Sequence, residues 1–244
     1  DYNADIKTVA VVYIDNEFGV HAKEMAEKWY EEKYKDLGFE YVGAVGYAAD
    51  VTNVDTEVQQ IKNLNADAIF HASYIADITM FVNKYKEADV KPKAVLNYCG
   101  GFQDTQFVVN LGKNSNYFAG GAAFTAAKLD DMPELNFLND MYKKKTNANF
   151  DGPALEEFAS IMVIADALNQ SGDVDGDKLM DIIKNTKFDA PYFASEAIKF
   201  DESGQNEISA SYIVQIQNEE YEAVYPLDVA TQKPLVPFPQ WDDR

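Results

Sequence analysis

The chain has 244 residues, 47% hydrophobic and 25% charged, an ordinary globular composition that allows one or two domains at roughly 100–200 residues each. Asp and Glu number 41 against 21 Lys and Arg, a formal net charge of −20, and that field repels phosphate backbones and anionic lipid, so nucleic acid is excluded as a partner. No apolar run reaches the roughly 18 residues that a membrane-crossing helix requires, and a single cysteine, Cys99, cannot form an internal disulfide.

The first half alternates in type. Thr8–Ile14 (TVAVVYI) is a β-branched run of the kind found in a strand buried on both faces; Ala22, Met25, Ala26, Trp29 and Tyr30 then recur at helical spacing until Gly38 stops the helix. Residues 39–47 read as a strand. Asp55 is placed to cap a helix carrying Val58, Ile61 and Leu64, 68–72 is a strand, and Ile78, Phe81, Val82 and Tyr85 line another helix. A strand at 93–97, a short helix at 105–111 and a fifth strand at 117–124 complete the series. Five strands separated by helices predict a doubly wound parallel α/β sheet.

After Ala127 the alternation ends. Three helices are expected at 133–146, 153–170 and 177–184, the second with Leu155, Phe158, Met162 and Ala165 on one face. Strands at 194–200 and 209–216 flank the turn Asp201-Glu202-Ser203-Gly204, 221–225 forms another, and the proline-rich stretch 226–244 runs as an irregular strap. These helices have apolar faces but no adequate sheet to cover them. Either they pack back on the first sheet, or the chain is the later part of a longer protein whose earlier half supplies a second sheet. In the second case Leu155, Phe158 and Met162 find cover by dimerisation or by rearranged packing.

Ligands of open parallel sheets sit beyond the carboxyl ends of the strands. Three loops are nominated on that ground: Asp15-Asn16-Glu17-Phe18-Gly19, Ser73-Tyr74-Ile75-Ala76-Asp77 and Tyr98-Cys99-Gly100-Gly101-Phe102-Gln103-Asp104. Each mixes an aromatic with small or polar residues, which suits a pocket that stacks on a small organic molecule. Phe18 is either such a wall or a staple into its own helix, Tyr74 faces the cleft, and Gly100-Gly101 is either a simple turn or a place of close backbone approach. Cys99 reads as a small, partly buried hydrophobe without a neighbouring base. His71 lies inside a strand and reads as a satisfied core or rim histidine, His21 starts a helix, and no metal-ligand spacing occurs. Asp173-Val174-Asp175-Gly176-Asp177 has its glycine at the wrong place for a calcium loop and reads as a turn that caps the next helix. The dinucleotide, P-loop and nucleophile-elbow signatures are absent, and the adjacent Glu156 and Glu157 do not face one another, so neither a catalytic residue nor a cofactor is expected.

The order of these pieces carries a resemblance. Residues 9–14 followed by Asp15-Asn16-Glu17-Phe18-Gly19, then Ala66-Asp67-Ala68-Ile69-Phe70, Gly100-Gly101-Phe102-Gln103-Asp104 and Asn110-Leu111-Gly112-Lys113, resemble the type I periplasmic binding proteins, the leucine/isoleucine/valine-binding family of ABC importers. Phe200-Asp201-Glu202-Ser203-Gly204-Gln205-Asn206, Val224-Tyr225-Pro226 and the ending 237–244 agree with its C-terminal half. The resemblance implies two α/β lobes joined by crossing segments, with this chain running from the start of the second lobe onward. Residues 1–127 would form that ligand-binding lobe, 128–200 a helical segment belonging to the first lobe, and 201–244 late strands and a strap that return to the α/β lobe; 124–129 would be a hinge strand. It also implies a non-enzymatic, extracytoplasmic solute-binding component, periplasmic or a lipoprotein, with a permease and an ATPase as partners. The ligand would be an amino acid of the branched-chain kind or a similar small molecule, held between lobes. Phe18 and Tyr74 would line the second-lobe wall with Ile75 and Asp77, and Cys99, Gly100 and Phe102 would form the loop that in leucine-type binders presents a carboxylate to the ligand's ammonium. A sensory domain of the same fold and an α/β enzyme with an unrecognised site are the rival classes.

Overall fold

The computed structural model describes residues 5–98, 100–126, 129 and 132–244. They form two compact units, Asp1–Gly121 with Ile213–Arg244 and Ala122–Tyr212, where the sequence reading draws its lines after residues 127 and 200.

The first unit is a regular β/α alternation: β1 (Thr8–Ile14), α1 (Glu17–Trp29), β2 (Glu40–Tyr47), α2 (Asp55–Leu64), β3 (Ala68–Ala72), α3 (Ile75–Glu87), β4 (Ala94–Asn97), α4 (Gln106–Leu111) and β5 (Ala119–Ala122). All four pairings among β2, β1, β3, β4 and β5 are parallel. β8 (Tyr212–Gln217) and β9 (Glu220–Tyr225) extend the sheet as an antiparallel hairpin, giving the order β2-β1-β3-β4-β5-β8-β9. Asn218 and Glu219, both at positive φ, make the two-residue loop of that hairpin, the geometry that matches strand twist.

Local chemistry explains the ends. At the amino edge of the sheet Asp67 Oδ2 accepts from the N–H groups of Lys7 (2.7 Å) and Thr8 (3.2 Å), while Lys93 reaches its other oxygen at 2.9 Å. One carboxylate thus ties the starts of β1, β3 and β4. The helix expected to run to Gly38 ends its α-helical part at Trp29, continues as π-helix to Tyr34 and a 3-10 turn to Leu37, and is stopped by left-handed Gly38. Asp55 is the first residue of α2 rather than its cap; Val54 holds the cap position, and Asn53 Oδ1 accepts the Asp55 N–H instead. β5 covers four residues of the eight expected at 117–124, because Tyr117 takes a positive φ that ends strand geometry.

The strap 226–244 is irregular, as its prolines require, yet closely held. Gln215 Nε2 donates to the carbonyls of Tyr117 and Leu235, and its Oε1 accepts from the Leu235 N–H and from Gln217 Nε2. Trp241 Nε1 donates to Val90 O, and the Arg244 guanidinium lies 3.7 Å above the Trp241 ring.

In the second unit α5 (Pro133–Thr146), α6 (Gly152–Ser171) and α7 (Gly176–Asn185) follow the expected pattern, with Pro133 and Pro153 in first turns, Asp151 and Asp175 as caps, and left-handed Asn147 and Gly172 as stops. Asp175 Oδ1 accepts from the Asp177 and Lys178 N–H groups, so the Asp173–Asp177 stretch does act as a capping turn. The strand expected at 194–200 is reduced to β7 (Ala197–Ile198), antiparallel to β6 (Phe188–Asp189), and does not pair with β8. Residues 124–126 and 129 are not strand, so the expected hinge strand is not formed there; 127 and 128 lie outside the described residues. Leu155 is buried in a cluster with Phe124, Leu135, Phe150 and Phe193, Phe158 packs at its rim, and Met162 is 46% exposed.

Gln215→Leu removes four hydrogen bonds and leaves both the N–H and the C=O of Leu235 unpaired. Urea denaturation is expected to show a stability loss of about 2–4 kcal/mol, with faster amide exchange at Leu235 and unchanged exchange in β1.

Candidate functional site

Because β1, β3 and β4 run in one direction, the loops after them emerge at one edge of the first unit. Three rings meet there. Phe18 stacks on Tyr74 with centroids 5.3 Å apart and planes 25° apart, and on Tyr98 at 5.8 Å and 9°. Tyr74 is 44% and Tyr98 41% exposed, so both ends of the stack reach solvent. Phe18 stands in the first turn of α1, set by Asn16, whose Oδ1 accepts the Gly19 N–H at 3.0 Å. Tyr98 continues from β4, its N–H on His71 O at 2.9 Å. Tyr98 opens the third nominated loop, although the resemblance assigns it no role among the wall residues.

Tyr74 is the cap residue of α3, and its N–H donates to the Asp77 carboxylate, which also accepts from the Tyr47 hydroxyl at 3.2 Å. Behind it lies a buried polar chain. Ser73 Oγ sits 2.6 Å from His71 Nδ1, and His71 Nε2 is 3.1 Å from the Tyr85 hydroxyl. Ser73 also hydrogen-bonds Tyr47. One direction satisfies every member: Tyr85 donates to His71, His71 Nδ1–H to Ser73, Ser73 to Tyr47, and Tyr47 to Asp77, with the tautomer assigned by this network. Burial lowers the His71 pKa to about 3, so the ring is neutral, and it behaves as the satisfied core histidine the sequence suggests. Burial raises Asp77 above the ordinary carboxylate value, against the opposing bonds from Tyr47 and the Tyr74 N–H.

The glycine pair has a packing role. Gly101 N–H donates to Ser73 O at 3.0 Å, and a Cβ on Gly101 would stand 2.4 Å from the Ile75 nitrogen. Gly100, at φ +52, would place a Cβ 2.6 Å from Ser73 O. Only two glycines let the β4 loop lie on the first turn of α3.

Of the expected site residues, Phe18 and Tyr74 come together, and Ile75 and Gly100 flank them, half-buried. Asp77 points inward and is engaged with Tyr47 and Tyr74. Phe102 is in the core rather than at the wall, 1% exposed and edge-on to Phe107 and Tyr221, because the 3-10 turn at Gly100–Phe102 rolls its ring beneath the loop. Cys99 lies outside the described residues. Among the described residues no group of three or more His, Cys, Asp or Glu is arranged to hold a metal, and no helix is long and apolar enough to cross a membrane.

A concave feature opens on the α1 face of the sheet. It is a groove of about 690 Å³ lined by Val9, Val11, Met25, Trp29, Phe70 and Leu96 among others, and Tyr98, 6.0 Å from Phe70, forms its upper end. The opposite face carries α3, where His71 meets Phe81 and Tyr85.

A parallel α/β lobe that gathers rings from three loops at its carboxyl edge has the form of a small-molecule-binding domain. The chain belongs to the periplasmic binding protein family, whose pattern matches residues 2–220. It is 26% identical over 226 residues to the Leu/Ile/Val-binding protein homolog 7 of Brucella suis biovar 1, a match covering 91% of this chain and 55% of that protein. The chain therefore spans about half the length of the curated relatives it matches. Its fold is similar to that of the branched-chain amino acid transporter substrate binding protein LivJ of Streptococcus pneumoniae, solved with isoleucine: TM-score 0.73, 20% identity, 91% of this chain and 60% of that one. A solute binding protein of an ABC transporter from Rhodopseudomonas palustris BisB5, solved with 3,4-dihydroxybenzoic acid, superposes with TM-score 0.72 at 18% identity, over 100% of this chain and 65% of that one.

His71 gives the site a pH signature. Its folded pKa lies below the unfolded value of about 6.5, so its contribution is complete above pH 6.5 and is lost as pH falls toward 3. The wild-type chain is expected to lose about 2 kcal/mol more stability between pH 7 and pH 5 than His71→Gln, read from urea midpoints at the two pH values.

Proposed function

We propose that this chain is the solute-binding component of an ABC importer, acting outside the cytoplasmic membrane and handing a small organic molecule to a permease driven by an ATPase. The single observation that carries this reading is the row Tyr74, Phe18, Tyr98, drawn from three separate loops to the edge where open parallel sheets hold ligands. Family membership supports it, as do the names of the relatives: one is called a Leu/Ile/Val-binding protein, one is solved with isoleucine and one with an aromatic acid. The ligand class is accordingly an amino acid or a similar small compound.

The role is binding without chemistry. His71, behind the row, is buried and spent on Ser73 and Tyr85, so it is not available as a base. The rings supply apolar contact, and the chain behind them keeps Tyr74 in place before a ligand arrives, which limits the ordering cost of binding. The net charge of −20 keeps the protein away from anionic lipid headgroups and nucleic acid while leaving a small solute free to reach the edge.

A thermal-shift panel of L-amino acids, small amides and aromatic acids tests the reading on the purified chain. At least one class is expected to raise the melting temperature, since a ligand at 100 times its Kd stabilises by about 2.7 kcal/mol, and Tyr74→Ala should weaken that effect at least about tenfold in ligand concentration. A panel in which no compound stabilises the chain contradicts it.

A further inference from the structure

The aromatic row differs from every other ring contact described in the molecule. Phe18–Tyr98 and Phe18–Tyr74 are near-parallel, at 9° and 25°, whereas the remaining ring pairs lie between 34° and 69°. Core rings here pack tilted or edge-on, as the ring quadrupole and close packing favour. Flat stacking is confined to the exposed row at the strand ends.

We propose that the ligand carries a planar aromatic or heteroaromatic ring laid flat on Tyr74, rather than a branched aliphatic side chain; this rests on the solute-binding reading above and narrows it. Tyr74 has Phe18 on one face, while 44% of the residue remains exposed. Its backbone starts α3, and Gly100 lies beside its ring, where an added Cβ would be in ordinary contact with Tyr74 Cδ1 at 3.6 Å. A ring already stacked on Phe18 and still 44% exposed can take one more parallel ring, at an offset-stacked spacing like the one already built. A leucine-like side chain would bury comparable apolar area but gain nothing from the parallel planes.

Two of the four acids in these loops are engaged by the protein itself, while Asp15 and Glu17 beside Phe18 are exposed. Asp77 is occupied by Tyr47 and the Tyr74 N–H, and Asp104 Oδ1 accepts the Gln106 N–H at the start of α4. Asp77 and Asp104 thus hold the loops, and the feature of the ligand that the row itself reads is its ring.

Matched pairs that differ only in ring planarity test this: benzoate with cyclohexanecarboxylate, L-phenylalanine with L-cyclohexylalanine, and phenethylamine with cyclohexylethylamine, alongside L-leucine and L-isoleucine. Dissociation constants are read by saturation-transfer NMR on the 244-residue chain, which detects weak binding. In at least one pair the aromatic member is expected to bind about threefold to tenfold tighter than its saturated partner, the range that stacking beyond area burial supplies. That preference should disappear in Tyr74→Leu and persist in Tyr74→Phe. Binding of leucine or isoleucine with no aromatic preference in any pair overturns the inference and leaves the solute-binding reading standing. An aromatic preference that survives Tyr74→Leu overturns the assignment to this ring, and failure of every compound to bind overturns both.

Discussion

A directed chain of buried hydrogen bonds underlies the edge of the first unit. Tyr85, His71, Ser73 and Tyr47 pass donors in one direction and end on Asp77, which takes a further bond from the Tyr74 N–H. Each of these groups would be costly to bury unpaired, and in a low-dielectric interior the complete chain holds its members together more firmly than isolated bonds would. The residue that leaves β3 is thereby joined to α3 and to the end of β2. The backbone of Tyr74 is set at the start of α3, and its ring stacks there on Phe18, which in turn stacks on Tyr98.

The groove and the strand-end row divide the requirements of a binding site. The groove beneath α1 has volume, about 690 Å³, but its lining is almost wholly apolar and offers few groups to read a solute's polarity. The carboxyl edge has ordered rings next to the first turns of α1 and α3. Tyr98 belongs to both, touching Phe70 in the groove and Phe18 in the row. The strand-end rule favours the edge.

Much of the first unit was legible because its signals are periodic. Thr8–Ile14 and Ala68–Ala72 form strands over the predicted residues, since β-branched and small apolar runs bounded by loops have few other uses. The parallel class followed from alternation, and the three site loops from the class. Illegible were features that depend on contacts distant in sequence: the Asp67 clamp on β1 and β4 and the capture of the strap by Gln215. Phe102 and Phe18 look alike as loop aromatics. Which one turns inward is decided by a 3-10 turn and a glycine pair packed on α3, a matter of tertiary sterics. Asp77 was legible as an acid near a helix start, but its bond to Tyr47, 30 residues away, was not. At 197–198 the second-unit strand is short because, among the described residues, it pairs with the two-residue β6.

The account stands or falls on where a solute touches the first unit. Carbon-13 spectra of the Phe and Tyr rings, with Trp indole signals as a second probe, can be followed during titration with 3,4-dihydroxybenzoate and with L-isoleucine. The rings of Phe18, Tyr74 and Tyr98 are expected to shift together while Trp29 and Tyr34 in the groove stay still. Shifts at Trp29 and Tyr34 with Tyr74 unmoved would place binding in the groove and contradict the edge site.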